Sequence, residues 1–213
     1  MGGVIGATTG KFIMAGAALL LQGRVDGDLA TLAIEPGAAT SAISAALADR
    51  LRAHHRIGDT YVVRFRMEGF PVRVGLDHAA LPRGTDLRIG ADILAEHRVL
   101  IDFRHHSARI LMPYEVPGML RNFAKVPLTR APAGRWLVPA RGSDGRVVMA
   151  ELDLSRASRH KPGACLVESA GADAGPSPSS LDLGDFADRA VVFDFGHGLL
   201  WIDRDRSSPA PLC

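Results

Sequence analysis

The chain has 213 residues, 47% of them hydrophobic, and its 25 basic and 23 acidic residues leave a formal net charge of +2. That length fits one domain or two small lobes around a shared core. The near-balanced charge, carried by Arg spread along the whole chain, argues against a nucleic-acid binder, which concentrates positive charge on one face or arm.

Lysine occurs only at Lys11, Lys125 and Lys161. With the Ala and Gly content, this Arg bias points to a GC-rich bacterial genome. Cys165 and Cys213 make no disulfide framework, and no Cys/His spacing matches a zinc site. The doublets His54-His55 and His105-His106 would face opposite ways on a strand. No metal and no cofactor is therefore expected.

Residues 1–17 read as a leader or a first strand. The apolar run 11–21 is too short to span a bilayer and lacks a basic n-region and a clear cleavage site. A buried strand is expected there, with a cytoplasmic protein as the working assumption and export left open. No membrane partner is expected.

Two strands at 18–24 and 29–34 flank the turn residues Asp26-Gly27, a hairpin signal. Ile43, Leu47 and Leu51 predict a helix over 40–53, with Ser41 or Ser44 as cap. Alternating runs at 61–67 and 70–76 predict a second hairpin around Glu68-Gly69. A short helix follows at 90–97, then a hairpin of 99–103 with 109–112. Four prolines between 113 and 134 mark this stretch as a linker. Strands resume at 136–140 and 146–154 around Gly142–Gly145. The stretch 169–180 is poor in apolar residues and reads as an exposed loop. A last hairpin pairs 191–195 with 199–202, and 204–213 is a tail.

The halves echo one another. Gly27 and Gly145 each precede an acid by eight residues, at Glu35 and Asp153, across an apolar strand. Gly90-Ala91-Asp92 leads to Val99-Leu100-Ile101-Asp102-Phe103. Likewise Gly184-Asp185 leads to Val191-Val192-Phe193-Asp194-Phe195. From Glu35 to Gly90 is 55 positions, but from Asp153 to Gly184 only 31, so the second copy is trimmed where the 61–76 hairpin stands in the first.

This order of elements resembles the pepsin/retropepsin-like aspartic peptidases. It runs from Leu32-Ala33-Ile34-Glu35-Pro36-Gly37-Ala38-Ala39-Thr40-Ser41 through Leu87-Arg88-Ile89-Gly90-Ala91-Asp92-Ile93-Leu94 to Ile101-Asp102-Phe103. A second copy runs from Leu181-Asp182-Leu183-Gly184-Asp185-Phe186 to Val192-Phe193-Asp194. The resemblance implies a mainly β fold of the acid-protease β-barrel kind, with two pseudo-symmetric lobes in one chain. The lobes would be 18–112 and 135–203, joined by 113–134. It puts Glu35 and Asp153 at the two catalytic acid positions. It also departs from the family pattern: Glu35-Pro36 replaces Asp-Thr, and Leu154-Ser155-Arg156 follows the second acid.

A shared-proton carboxylate dyad needs two acids at hydrogen-bonding distance. Glu adds a methylene, Pro36 has no N–H to offer, and Arg156 would pair with a carboxylate if it turned inward. Asp77 and His78 are adjacent candidates for substrate binding beside Arg156, although neighbours on a strand face apart. Asp102 and Asp194 are expected at strand ends, and Asp92 and Asp185 as helix caps. Three outcomes stay open. The leading expectation is an acid/base enzyme repurposed for a non-peptide small molecule. The alternatives are an atypical endopeptidase and a non-catalytic binding module, as monomer or homodimer.

Overall fold

The computed structural model describes residues 10–15, 18–51, 56–57, 60–67, 70–78, 81, 84–111, 116–131, 136–142, 144–155, 157, 165–168 and 176–204. Strands dominate. β1 (Gly10–Ala15) and β2 (Ala18–Val25) pair antiparallel, and β2 turns into β3 (Asp28–Ile34) through Asp26 and Gly27. Both turn residues have positive φ, 48° and 99°. Two successive positive values give the twist that a two-residue hairpin needs, and the second falls to the residue without a Cβ.

The predicted helix over 40–53 is shorter than its periodicity suggests. Ala42–Ile43 form a two-residue strand, β4, and only Ala45–Leu51 are helical as α1. Ser44 caps α1, its hydroxyl accepting the Leu47 N–H at 3.2 Å. β5 (Arg56–Ile57), β6 (Thr60–Met67) and β7 (Phe70–His78) follow, with β6 and β7 in the predicted register, Met67 opposite Phe70. β8 (Leu87–Ile89) runs parallel to β3 and leads into α2 (Ala91–Glu96).

β9 (Arg98–Asp102) and β10 (Ser107–Leu111) form the hairpin expected at 99–112. The proline-rich stretch after it carries structure. α3 (Val116–Met119), a 3-10 turn over Leu120–Asn122, β11 (Phe123–Pro127) and β12 (Thr129–Arg130) all fall within it. β13 (Trp136–Arg141), β14 (Val147–Asp153) and β15 (Cys165–Leu166) precede β16 (Pro176–Asp182). β17 (Ala190–Asp194) and β18 (Leu199–Asp203) close the fold.

β16 corrects an expectation. Residues 176–180 read as exposed loop, yet they run parallel to β14 at the end of the strand order β12-β13-β14-β16. An outer strand tolerates proline because one row of its backbone groups faces away from the ladder, and Pro176 is also the strand's first residue.

The large sheet runs β11-β18-β17-β9-β10-β1-β2-β3-β8-β4-β7-β6-β5. β6 also touches β2 at Arg24–Arg66 and Val25–Phe65, which curls this end back on itself. No closed barrel results, contrary to the barrel expected from the resemblance. A two-pair contact and the two-residue strand β4 make too little ladder for a continuous wall.

Towards the β11 end of this sheet the two closing hairpins meet. β9 and β17 pair antiparallel, with Val99 opposite Phe193, Leu100 opposite Val192 and Ile101 opposite Val191. β17 and β18 lie 92 residues after β9 and β10. Equivalent residues therefore exchange partners about the Leu100–Val192 pair, as across a two-fold interface. β1 extends this unit beside β10, and β11 extends it beside β18.

β9 alternates buried Val99 and Ile101 with half-buried neighbours, whereas all five β17 residues are buried. Alternation marks a strand packed mainly on one face, and a continuous buried run marks one covered on both. Val191 and Phe193 enter the main core, while Val192 packs with Leu111 and Leu120 on the other side.

Aromatic contacts cross the core from one half of the chain to the other. Phe12 meets Phe103, Phe103 meets Phe186, and Phe186 meets Phe193, with centroids 6.1 to 6.4 Å apart. Phe193 then stacks on Phe195 at 5.5 Å, and Phe195 reaches Trp136 at 5.2 Å.

Asp102 and Asp194 stand at matched strand ends, as expected. Each accepts from the imidazole Nδ1 three residues on, His105 at 2.8 Å and His197 at 2.7 Å. Asp194 also binds Arg98 Nε at 2.6 Å, so a nearly buried carboxylate joins β17 to β9.

His97 follows α2 and is half-buried, and burial lowers its pKa below the ordinary 6.5, with the Glu96 charge opposing. A depressed histidine pKa means that the unfolded chain binds the proton more readily. Stability is therefore full above about pH 6.5 and falls as pH drops below it. His97→Gln should flatten this loss between about pH 7 and pH 5, read as urea midpoints at several pH values. A mutant curve parallel to that of the wild type would show that His97 is not the group responsible.

Candidate functional site

Two loops follow the two acids. Glu35 comes directly after β3, and its N–H donates to the Ile89 carbonyl at 3.0 Å while its own carbonyl accepts from Ala38 N–H at 2.9 Å. These bonds make 35–38 a turn fixed to the end of β8. Ser41 fastens the far end of the loop. Its backbone N–H donates to both Asp92 oxygens at 2.9 and 2.8 Å, its hydroxyl donates to Asp92 Oδ1 at 2.6 Å, and the same hydroxyl accepts from Gly90 N–H at 2.8 Å.

Asp92 is thus a clamp between loop and helix, not the cap of α2 that the sequence suggests; the N-cap is Gly90, which has no side chain to offer. A Cβ on Gly90 would sit 2.7 to 2.8 Å from Thr40 and Ala38 backbone atoms, so the close approach requires glycine. Asp92→Ala strips acceptors from Ser41 N–H, Ser41 Oγ and Ile93 N–H. A loss of about 2 kcal/mol in chemical denaturation is expected, since charge-assisted bonds exceed neutral ones. A change within experimental error would mean the clamp is idle.

On the second side, β14 ends in Asp153. Its alternation buries Ala150 and Leu152 and leaves Glu151 and Asp153 half-buried on the other face. Ser155 grips Asp153 Oδ1 twice, through its N–H at 3.0 Å and its hydroxyl at 2.5 Å. β16 lays Asp182 opposite Asp153, and Asp182 caps the 3-10 turn over Leu183–Phe186 by accepting from Gly184 N–H at 2.7 Å. Asp185 completes the capping box by accepting from Asp182 N–H at 2.7 Å. Burial raises the Asp185 pKa; the Asp182 N–H opposes that, and the Asp182 charge adds to it.

The two loops touch. A Cβ on Gly37 would lie 2.7 Å from Ser155 N and 2.8 Å from Leu154 C and Ser155 Cα. Gly37 is two residues beyond Glu35, and Ser155 two residues beyond Asp153, so each acid stands two residues before one backbone contact.

A cleft of about 820 Å³ opens beside this junction. Pro36, Gly37 and Ala39 line it from the first loop, and Ala91, Asp92 and Ala95 from α2. The second half supplies Arg130, Trp136, Phe195 and the run from Glu151 to Ser155. Asp153 lines the cleft; Glu35 does not, although the next two residues do. Arg130 lies directly opposite Trp136 in the β12–β13 ladder, and its guanidinium sits 5.8 Å from the centre of the Trp136 ring.

Asp77 and His78 lie on β7 opposite Ala42 and Ile43, and Arg156 lies outside the described residues. Arg130, Trp136 and Glu151 were missed by sequence reasoning. The i, i+2 spacing of Glu151 and Asp153 could have marked Glu151, but nothing local signals Arg130. Among the described residues, no group of three or more His, Cys, Asp or Glu stands close enough to hold a metal ion, and no helix is long and apolar enough to cross a membrane.

No protein-family model matches the sequence, and no curated protein does. Among solved structures, the chain is similar to the retroviral protease-like domain of Ddi1 from Leishmania major at 18% identity. That match covers 49% of this chain and 100% of that one, with a TM-score of 0.34. It is also similar to conglutin gamma, a basic 7S globulin from lupine seeds, at 7% identity over 92% of this chain and 94% of that one, with a TM-score of 0.48. Basic 7S globulin from soybean matches at 9% identity over 92% and 93% of the two chains, with a TM-score of 0.49.

Proposed function

We propose that the chain is a two-lobed enzyme of aspartic-peptidase-like descent, with lobes at 18–112 and 135–203, that does general acid/base chemistry on a small molecule in this cleft. The observation that carries the reading is Asp153 lining an 820 Å³ cleft built by both halves of the chain. Such a volume lies in the range of small-molecule sites. Asp153 is the acid/base group. The double hydrogen bond from Ser155 fixes its Oδ1 and so holds the carboxylate in place at the cleft wall. Glu35 is the second acid, on the loop that Gly37 docks against Ser155. The exchanged partners of the two closing hairpins support a shared two-lobed plan.

Endopeptidase action is the second reading, favoured by the Gly37–Ser155 contact, which draws the two acid-bearing loops together. A panel of small esters and amides, run beside a peptide library between about pH 3 and pH 7, separates the two readings. The acid/base reading expects turnover in the small-molecule arm that Asp153→Asn abolishes. Cleavage confined to peptides and lost in both Glu35→Gln and Asp153→Asn would replace it with the second reading. Silence in both arms would remove both.

A further inference from the structure

From the lining of the cleft we infer that its ligand carries a carboxylate and that Arg130 is the anchor for it. The inference rests on the cleft being the functional site, as proposed above, and adds the chemical class of what enters. Three carboxylates line the same cleft, Asp92, Glu151 and Asp153, yet Arg130 forms no ion pair among the described residues. Its guanidinium lies over Trp136 instead, placed there by the direct cross-strand pair.

A cation–π contact with a ring face leaves the N–H donors of a guanidinium available. The result is a planar cation with its donor fork open, held at the wall of a ligand-sized space. Planar carboxylates match that fork with two parallel hydrogen bonds. Two of the three neighbouring acids are engaged by other groups. Asp92 already accepts from Ser41 N–H, Ser41 hydroxyl and Ile93 N–H, and Ser155 engages one oxygen of Asp153 twice.

The rest of the ligand has an apolar surface to lie on, made by Trp136, Phe195 and Ala95. The ligand is thus a carboxylic acid with a flat or apolar body. Free acids and the C-terminal ends of short peptides share this chemistry.

The test is binding, not turnover. Benzoate and benzamide, and a tripeptide with its C-terminal amide, are titrated against the full chain by ligand-observed NMR. The acid of at least one pair should bind about tenfold or more tightly than its amide, as expected for a bidentate charged contact. Preference in the benzoate pair identifies free acids, and preference in the peptide pair identifies chain ends. Arg130→Ala should erase the preference. Arg130→Lys should keep only part of it, because a point charge lacks the planar fork.

Thermal melts of both variants establish that they fold, since Arg130 is exposed. Equal binding of acid and amide by the wild type overturns the inference, as does a preference that survives Arg130→Ala. Asp153→Asn should keep the acid preference. Discrimination without turnover therefore sinks the acid/base reading alone, and turnover without discrimination sinks the anchor alone.

Discussion

Replacing Gly196 by alanine is expected to lower folding stability by about 3 kcal/mol, the upper end of ordinary overpacking costs. The added Cβ would overlap the carbonyl oxygen of Ala95 in α2, well inside contact distance. Neither atom can yield by rotating a side chain, because one belongs to a helix backbone and the other is fixed to its own Cα. The 3-10 turn Phe195–His197 must therefore lift from α2. Phe195 moves with it and leaves both Phe193 and Trp136, its ring partners at 5.5 and 5.2 Å. Urea denaturation measures the cost directly. A loss below about 0.5 kcal/mol, the scale of an ordinary surface change, would mean that α2 and the turn do not pack this closely.

Gly37→Ala should cost about 2 kcal/mol for a related reason, but its consequence for the cleft is larger. The Cβ would meet the Ser155 N and Cα and the Leu154 carbonyl carbon at 2.7 to 2.8 Å. Relief requires the loop after Asp153 to retreat. Ser155 holds Asp153 through its own N–H and hydroxyl, so the retreat loosens the carboxylate along with the loop. Misplacement of a catalytic group by about 1 Å can cost about a hundredfold in rate. Turnover on any substrate found for the cleft should fall much further than stability. Full activity in a destabilised Gly37→Ala protein would show that the loop contact does not position Asp153.

The strands were legible in the sequence wherever one local signal carried the information. Asp26-Gly27 and the apolar runs around it mark a hairpin because the positive φ values are a property of those two residues. The closing strands Arg98–Asp102 and Ala190–Asp194 show themselves by apolar content alone. Where partners distant in sequence decide, the local signal fails. Pro176–Asp182 has the composition of a loop and becomes a strand because β14 offers it a ladder. Ser41 has the look of a helix start, and Asp92 of a cap, but each is taken by the other across 51 residues.

The internal echo was readable in outline and shifted in detail. Aligning Gly90 with Gly184 follows residue type. The strands set an offset of 92, which carries Gly90 onto Asp182, and those two residues are the N-caps of the matched short helices. The glycine needed for close approach in the first half is thus replaced by a capping carboxylate in the second. Within the site, Asp153 was visible as an acid ending an apolar strand. Arg130 was invisible, because its role comes from lying opposite Trp136 in a ladder that spans a proline-rich stretch.

The most direct test of the account is the kcat of Asp153→Asn against the wild type on the best substrate of the small-molecule panel, with Ser155→Ala measured alongside. The account predicts a fall of about a hundredfold or more in kcat for Asp153→Asn, the range of a lost general acid or base, with KM little changed. Ser155→Ala should fall between the two, because it removes the hydroxyl bond to Asp153 and keeps the backbone one. A kcat for Asp153→Asn equal to that of the wild type would contradict the account, since the cleft would then turn over substrate without its acid.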